Sequence, residues 1–421
     1  AADIAVLSAA QITALKTEQM QALAVDQIQA FTKAQFAQLE TADVAALLTA
    51  QIRAIETADL ASMSTEQVVA LGTEQVKALS AAQIVALTTA QVAALETRDM
   101  ALLSTDQIRA LETRDLAALT TVQIVALGSE QVIALTTAQI VALTTAQIPA
   151  IEASDFALLT TAQLAALETR DVVQLNTAQV VALTTEQALA LSSAQLAALT
   201  TQNLVALQTE DLASLSTASL QGLTGGQAAA LTTAQIQALQ TEQLIKLQSA
   251  DLAAFTTQQV AALTTAQVSN LSTAQIVAMT TAQIAALEIA DFILLSTAQV
   301  TALQTADVAA LSTAQVKALT VAQAAVLSSA QVAALSTEQI VKLETEDLAA
   351  LTTQTVIGLT EEQVAQLSTA QVSALLPAQL MAMETRDITA LTTEHIQALT
   401  TEQIQALTTA QIEGLSTAQV V

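Results

Sequence analysis

The sequence contains no cysteine, no tryptophan and no tyrosine, and its 421 residues include only two prolines, seven glycines and one histidine. Without cysteine there are no disulfides and no thiol chemistry, so the chain suits an oxidising or a reducing compartment equally. A lone histidine excludes a multi-histidine zinc site and, with the rest of the pattern, a Ser-His-Asp triad. Aromatics make up 1% of residues, so any core must rest on Leu, Ile, Val and Ala. Positive charge is scarce as well. Twelve Lys and Arg stand against 38 Asp and Glu, a net charge of −26. Phosphate backbones and anionic membranes both call for clustered Lys and Arg, which argues against either as a partner. Long apolar runs are missing too, despite a mean hydropathy of +0.53. A polar T-x-Q group interrupts nearly every octad, well short of the roughly 18 apolar residues of a membrane span. No signal peptide, phosphate loop, metal-spaced His/Cys cluster or nucleophile elbow is legible. The expectation is a chain without catalysis, without a resident cofactor and without membrane insertion.

What the sequence has is a period of eight. Leu135, Leu143, Ile151, Leu159, Leu167 and Leu175 mark six successive repeats. With this position lettered a and the rest of the octad b to h, a occurs 52 times between residues 7 and 415 and is Leu at 45 of them. Position b is usually Thr or Ser and c usually Thr. Position e is Gln at 36 of 53 sites and Asp at 13; the exceptions are Asn203, Ser219, Thr355 and His395. Position f is apolar and h is mostly Ala. Positions a and f therefore face a core, h meets a close neighbour, and d and g face water.

A single long helix does not fit. Eight residues at about 100° each overshoot two turns by roughly 80°, so the a/f stripe would wind around the rod. A plain strand puts a and f on opposite faces. A short helix in each octad does fit. Position b is the N-cap and e the third helical residue, so S/T-x-x-Q reads as a capping box. Pro377, at c, occupies the first helical position, where proline is favoured. Such helices are too short to stand alone and must stack. The fold class expected is all-α: a superhelical solenoid with one helix per octad. Chain reversal with so few glycines, and Pro149 late in its octad, stand against this frame. The same scarcity counts more heavily against the alternative, a β-solenoid, whose corners want Gly and Asn.

A second period is written in Asp. The Asp at position e fall at 3, 43, 59, 99, 115, 155, 171, 211, 251, 291, 307, 347 and 387, always five octads or two octads apart. If all face one side, five octads make two turns and two make one, giving about 2.4 octads per turn and a rod on the order of 200 Å at helix spacings of roughly 8–10 Å. In these octads b is Glu or Gln, never Thr or Ser.

Paired acids at b and e raise a metal reading. Calcium takes six to eight oxygens, and its candidate ligands are Asp43, Asp59, Asp99, Asp115, Asp155, Asp171, Asp211, Asp251, Asp291, Asp307, Asp347 and Asp387, with Glu40, Glu56, Glu96, Glu112, Glu152 and Glu168. The competing reading is architectural. An acid is favoured at a helix N-terminus, and Arg98, Arg114, Arg170 and Arg386 stand beside four of the Asp as internal partners. His395 takes the place of a capping Gln. The segment 219–226, "SLQGLTGG", is the one irregular point in an otherwise continuous array over 1–421. Both ends fall mid-repeat, which reads as a fragment or mature part of a longer array.

Two resemblances bear on function. Residues Met63 to Leu71, "MSTEQVVAL", are similar to the helix opening of TAL-effector repeats, and "LPAQL" at Leu376–Leu380 restores the proline of that motif. This covers one helix opening and carries no base-reading loop. The chain as a whole resembles the long octapeptide-repeat proteins of bacterial surfaces, adhesin-like or filament-like. That resemblance implies an extracellular structural scaffold, a filament subunit or surface stalk whose partner is itself. The alternative is a binding module whose Thr or Asp stripe takes calcium, a glycan or ice.

Overall fold

The computed structural model describes residues 2–420, with the side chains of 4–420. Nearly every octad forms one short helix of four to six residues, and no strand occurs among the described residues. The chain is an all-α solenoid. It packs as two compact units, Ala1–Leu215 and Ser216–Val421. Among the described residues no helix is long and apolar enough to cross a membrane.

One octad shows how the sequence makes the unit. Thr136 is extended (φ −74°, ψ 159°), helix Thr137–Ala142 follows, and Leu143 is extended again (φ −58°, ψ 140°). The Gln139 N–H donates to Thr136 Oγ1 at 3.2 Å, and the Thr136 N–H donates to Gln139 Oε1 at 2.8 Å. This is the reciprocal capping box. The corner between helices is thus two residues, a and b, in an extended conformation that any L-residue adopts. Among the described residues none has positive φ. The scarcity of glycine is therefore no obstacle to the chain reversals. Pro377 opens helix Pro377–Ala382 as its position requires. Pro149 has no N–H to give, and its octad closes as the 3₁₀ turn Ile148–Ala150 instead of an α-helix. The segment 219–226 keeps the frame, with helices Thr217–Leu220 and Gly225–Ala230.

Within each unit a helix packs against the helix three octads away. Thr89–Ala94 lies against Thr113–Ala117 in the first unit, and Ser249–Ala253 against Thr273–Ala278 in the second. Side chains at f and a fill the interior. Ile140, Leu143 and Phe156 are wholly buried in the first unit, as are Leu252 and Phe292 in the second. A helix this short is unstable alone. Two buried side chains per octad, each contributing roughly 1.5–3 kcal/mol, are what hold it in place.

Stacking at three octads corrects the 2.4 octads per turn expected from the Asp spacing. The premise of a single acidic side was at fault. Gaps of five and two octads both leave a remainder of two on division by three, so successive Asp step round three sides in fixed order.

At Gly358 and Gly414 position h is small because the next layer lies over it. A Cβ on Gly358 would overlap the main-chain carbonyl of Ser329, and one on Gly414 would come within 2.9 Å of Thr385 Cγ2. Gly226, by contrast, has nothing within 4 Å of where a methyl group would stand. Gly358→Ala is expected to destabilise the second unit by about 1–3 kcal/mol through overpacking. Gly226→Ala, inside a helix, is expected to be neutral or stabilising by up to about 1 kcal/mol. Urea unfolding followed by far-ultraviolet circular dichroism distinguishes the two.

Candidate functional site

Position e is where the chemistry concentrates, and it does two jobs. Its Gln caps its own helix and also ties successive turns together. Gln139 Nε2 donates to the carbonyls of Ile108 and Leu111 at 2.8 and 2.9 Å, 31 and 28 residues earlier. Gln299 does the same to Val268 and Leu271, at 3.0 and 2.9 Å. These are the f and a carbonyls at the end of the helix four octads back; the f carbonyl also accepts the N–H of its own a residue, as Ile108 does from Leu111 at 3.2 Å, and the amide gives it a second donor. The amide is fully used: its oxygen accepts one N–H and its NH₂ serves two carbonyls. Buried at 2% exposure, Gln139 leaves no polar atom wanting. The capping half of this role is legible in the T-x-x-Q motif; the staple between turns is not.

Other residues at e show which part of the Gln is indispensable. Asn203 Nδ2 reaches the Leu175 carbonyl at 2.6 Å, and Thr355 Oγ1 reaches the Leu327 carbonyl at 2.8 Å, both 28 residues earlier. His395 keeps the cap, its Nδ1 accepting from the Thr392 N–H at 3.2 Å.

The Asp octads differ. All twelve from Asp43 to Asp387 are buried, between 0 and 5% exposed; the side chain of Asp3 lies outside the described residues. Some accept from the hydroxyl at position c three octads earlier: Thr73 to Asp99 at 2.7 Å, Thr89 to Asp115 at 2.6 Å, Ser129 to Asp155 at 2.5 Å and Thr265 to Asp291 at 2.7 Å. Others accept the N–H of their own b residue, as Asp171 does from Glu168 and Asp307 from Gln304. The acids at b stay on the outside, with Glu40, Glu56, Glu96, Glu152 and Glu168 exposed and Glu112 half-buried. Where d is Arg, the guanidinium joins the two acids. Arg114 is 2.7 Å from Glu112 and 3.5 Å from Asp115, and Arg170 is 2.8 Å from Glu168 and 3.6 Å from Asp171. Where b is Gln it supplies a substitute staple: Gln208 Nε2 donates to the Val181 carbonyl at 2.8 Å and Gln304 Nε2 to Val277 at 3.0 Å.

Burial pushes several of these carboxyls above the usual range. Desolvation is the leading cause at Asp59, Asp171, Asp211, Asp251, Asp307, Asp347 and Asp387. At Asp347 the neighbouring Glu344 and Glu346 add to it, and its pKa reaches about 6. One carboxylate oxygen each of Asp59, Asp115, Asp171, Asp211, Asp251, Asp347 and Asp387 is buried with no hydrogen-bond partner. For the calcium reading, nine of the twelve Asp from Asp43 to Asp387 have a Glu at b in their own octad, and Asp211, Asp251 and Asp307 have Gln there. Among the described residues no three or more His, Cys, Asp or Glu side chains converge on one point.

Comparison with known proteins agrees with the octad frame. A family model described as the ALTTAQ repeat matches residues 1–33, 36–73, 52–89, 108–145, 164–201, 204–241, 244–281, 284–321, 300–337, 340–376 and 380–420, most of the chain. No curated protein matches it.

Proposed function

The chain belongs to the ALTTAQ repeat family, and on that premise we propose that it is a structural, non-catalytic repeat scaffold: a filament subunit or stalk of a bacterial cell surface, acting by end-to-end or lateral association with its own kind. What carries this reading is the polarity of each layer. An octad's Gln amide donates toward preceding octads, while its f and a carbonyls accept from following ones. The two sides of a layer are unlike and mutually complementary. Contacts of that heterologous kind propagate instead of closing on themselves. Lateral association has its own support. Leu102 and Leu158 in the first unit and Leu294 in the second are about half exposed, as are many Val and Ile at g.

The test is sedimentation and electron microscopy of the purified chain across a concentration series, with and without calcium. Species that lengthen or bundle with concentration support the scaffold. A monodisperse particle at every concentration sinks it. A calcium-dependent rise in melting temperature would instead favour the alternative, a binding module built on the acidic octads.

A further inference from the structure

At position e, Gln139, Asn203 and Thr355 all place a donor on the main-chain carbonyl 28 residues earlier. The register gives Asp211, Asp251 and Asp347 the equivalent carbonyl partners, those of Leu183, Leu223 and Leu319. Aspartate is isosteric with asparagine, and Asn203 reaches its Leu at 2.6 Å. At Asn203 that spacing leaves no room for an ion or a water between side chain and carbonyl. Each of the three Asp is no more than 4% exposed and keeps its Oδ2 unpartnered. In the geometry that Asn203 takes, an ionised carboxylate would set that oxygen against a second acceptor, with no proton between them.

We propose that in mild acid Asp211, Asp251 and Asp347 are carried in the folded chain as neutral carboxylic acids, donating their Oδ2–H to the carbonyls of Leu183, Leu223 and Leu319 respectively. The proton replaces the amide hydrogen of the Gln staple. The surroundings favour this. None of the three has Arg at d; Asp211 and Asp347 have Glu210 and Glu346 there. The helix packed against Asp211, Thr185–Ala190, brings only Glu186. Those against Asp251 (Gly225–Ala230 and Thr273–Ala278) and Asp347 (Val321–Ala324 and Thr369–Ala374) bring no titratable group. On its own octad Asp347 faces Glu344 and Glu346, and all its charged neighbours oppose ionisation. The ETRD octads form a separate class, where Arg114, Arg170 and Arg386 hold a positive charge beside the carboxylate.

The device makes the array pH-responsive in an unusual direction. A carboxyl raised on folding contributes stability that is complete below its unfolded pKa and is lost as pH rises through its folded pKa. For Asp347 that window runs from 3.8 to about 6. Mild acid should therefore close staples that neutral pH leaves open.

The experiment is the full chain carrying Asp211→Asn, Asp251→Asn and Asp347→Asn together. Asn203 shows that the site accepts the amide. The variant is expected to melt at least about 3 °C above the wild type at pH 8, with the difference vanishing near pH 4. The wild type should take up protons on folding at pH 6, measured calorimetrically in buffers of different ionisation enthalpy, and the variant fewer. A variant that melts at or below the wild type at pH 8, with the same pH slope, overturns the proposal. So does a wild-type melting temperature that rises with calcium while the variant's does not, since the oxygens would then be holding a cation.

Discussion

Gln139→Glu is expected to cost the first unit about 3–5 kcal/mol at neutral pH, the size of effect seen when a buried charge is left uncompensated. The substitution changes almost nothing in shape. Glu keeps the oxygen that accepts the Thr136 N–H. It replaces the NH₂ that serves Ile108 and Leu111 with an oxygen facing two carbonyl oxygens. Desolvation and those dipoles would push the new carboxyl's pKa up, so the loss should shrink as pH falls. Urea unfolding at pH 8 and pH 5 checks this. An unchanged midpoint at pH 8 would mean that the amide is not a staple and that capping alone explains position e. Gln139→Met, which takes the acceptor from the Thr136 N–H and the NH₂ from the Ile108 and Leu111 carbonyls but brings no charge, should cost less, about 1–3 kcal/mol.

Phe156→Ala is the second large effect, about 3–5 kcal/mol. Phe156 is wholly buried at position f in a chain with only five phenylalanines. Its removal leaves a hole that neighbouring Leu and Ala side chains, fixed to a repeating backbone, cannot collapse into. Phe156→Leu, which keeps most of the volume, should cost well under half as much. Ile133→Ala, at a g position 40% exposed, should change stability by no more than about 1 kcal/mol. The expected readout is a shift in urea midpoint that ranks these three in that order. A Phe156→Ala midpoint no lower than that of Ile133→Ala would show that the f position is not the core.

The helix and its cap were legible from single residues. Thr136 and Gln139 at a three-residue spacing, with Leu135 and Ile140 flanking them, leave few alternatives to a capped turn packed by a and f. Pro377 confirmed the frame from one position. Two features escaped for physical reasons. The Asp spacing gives the turn length only if like residues share a side, but each buried Asp is served by its own octad or by the hydroxyl three octads earlier, and this holds on every side of the layer. The staple joins atoms about four octads apart in the chain, as Gln139 does with Ile108 and Leu111, and periodicity does not reveal such a bond. One signal for it was nevertheless present. A capping box accepts Glu as readily as Gln, and Glu is common elsewhere in the chain. Yet e is never Glu. A position that needs an acceptor alone would admit it; one that needs an NH₂ as well would not. The glycine objection failed because the corners use extended residues, as at Leu143 and Thr136, where no left-handed conformation is called for.

The stacking distance of three octads and the staple distance of four also say how such a gene can change length. Near-identical repeats recombine out of register, adding or deleting whole copies. Removing one octad from a five-octad Asp interval would leave two acidic octads at the staple distance, and removing two would leave them at the stacking distance. Neither spacing occurs anywhere among the Asp, even when intervals are summed. Removing three gives the two-octad interval, the other spacing the chain uses. The two intervals differ by one full turn, so a deletion or duplication of that length converts one into the other and keeps every buried acid apart from the next. Copy number in this family should therefore drift in steps of three.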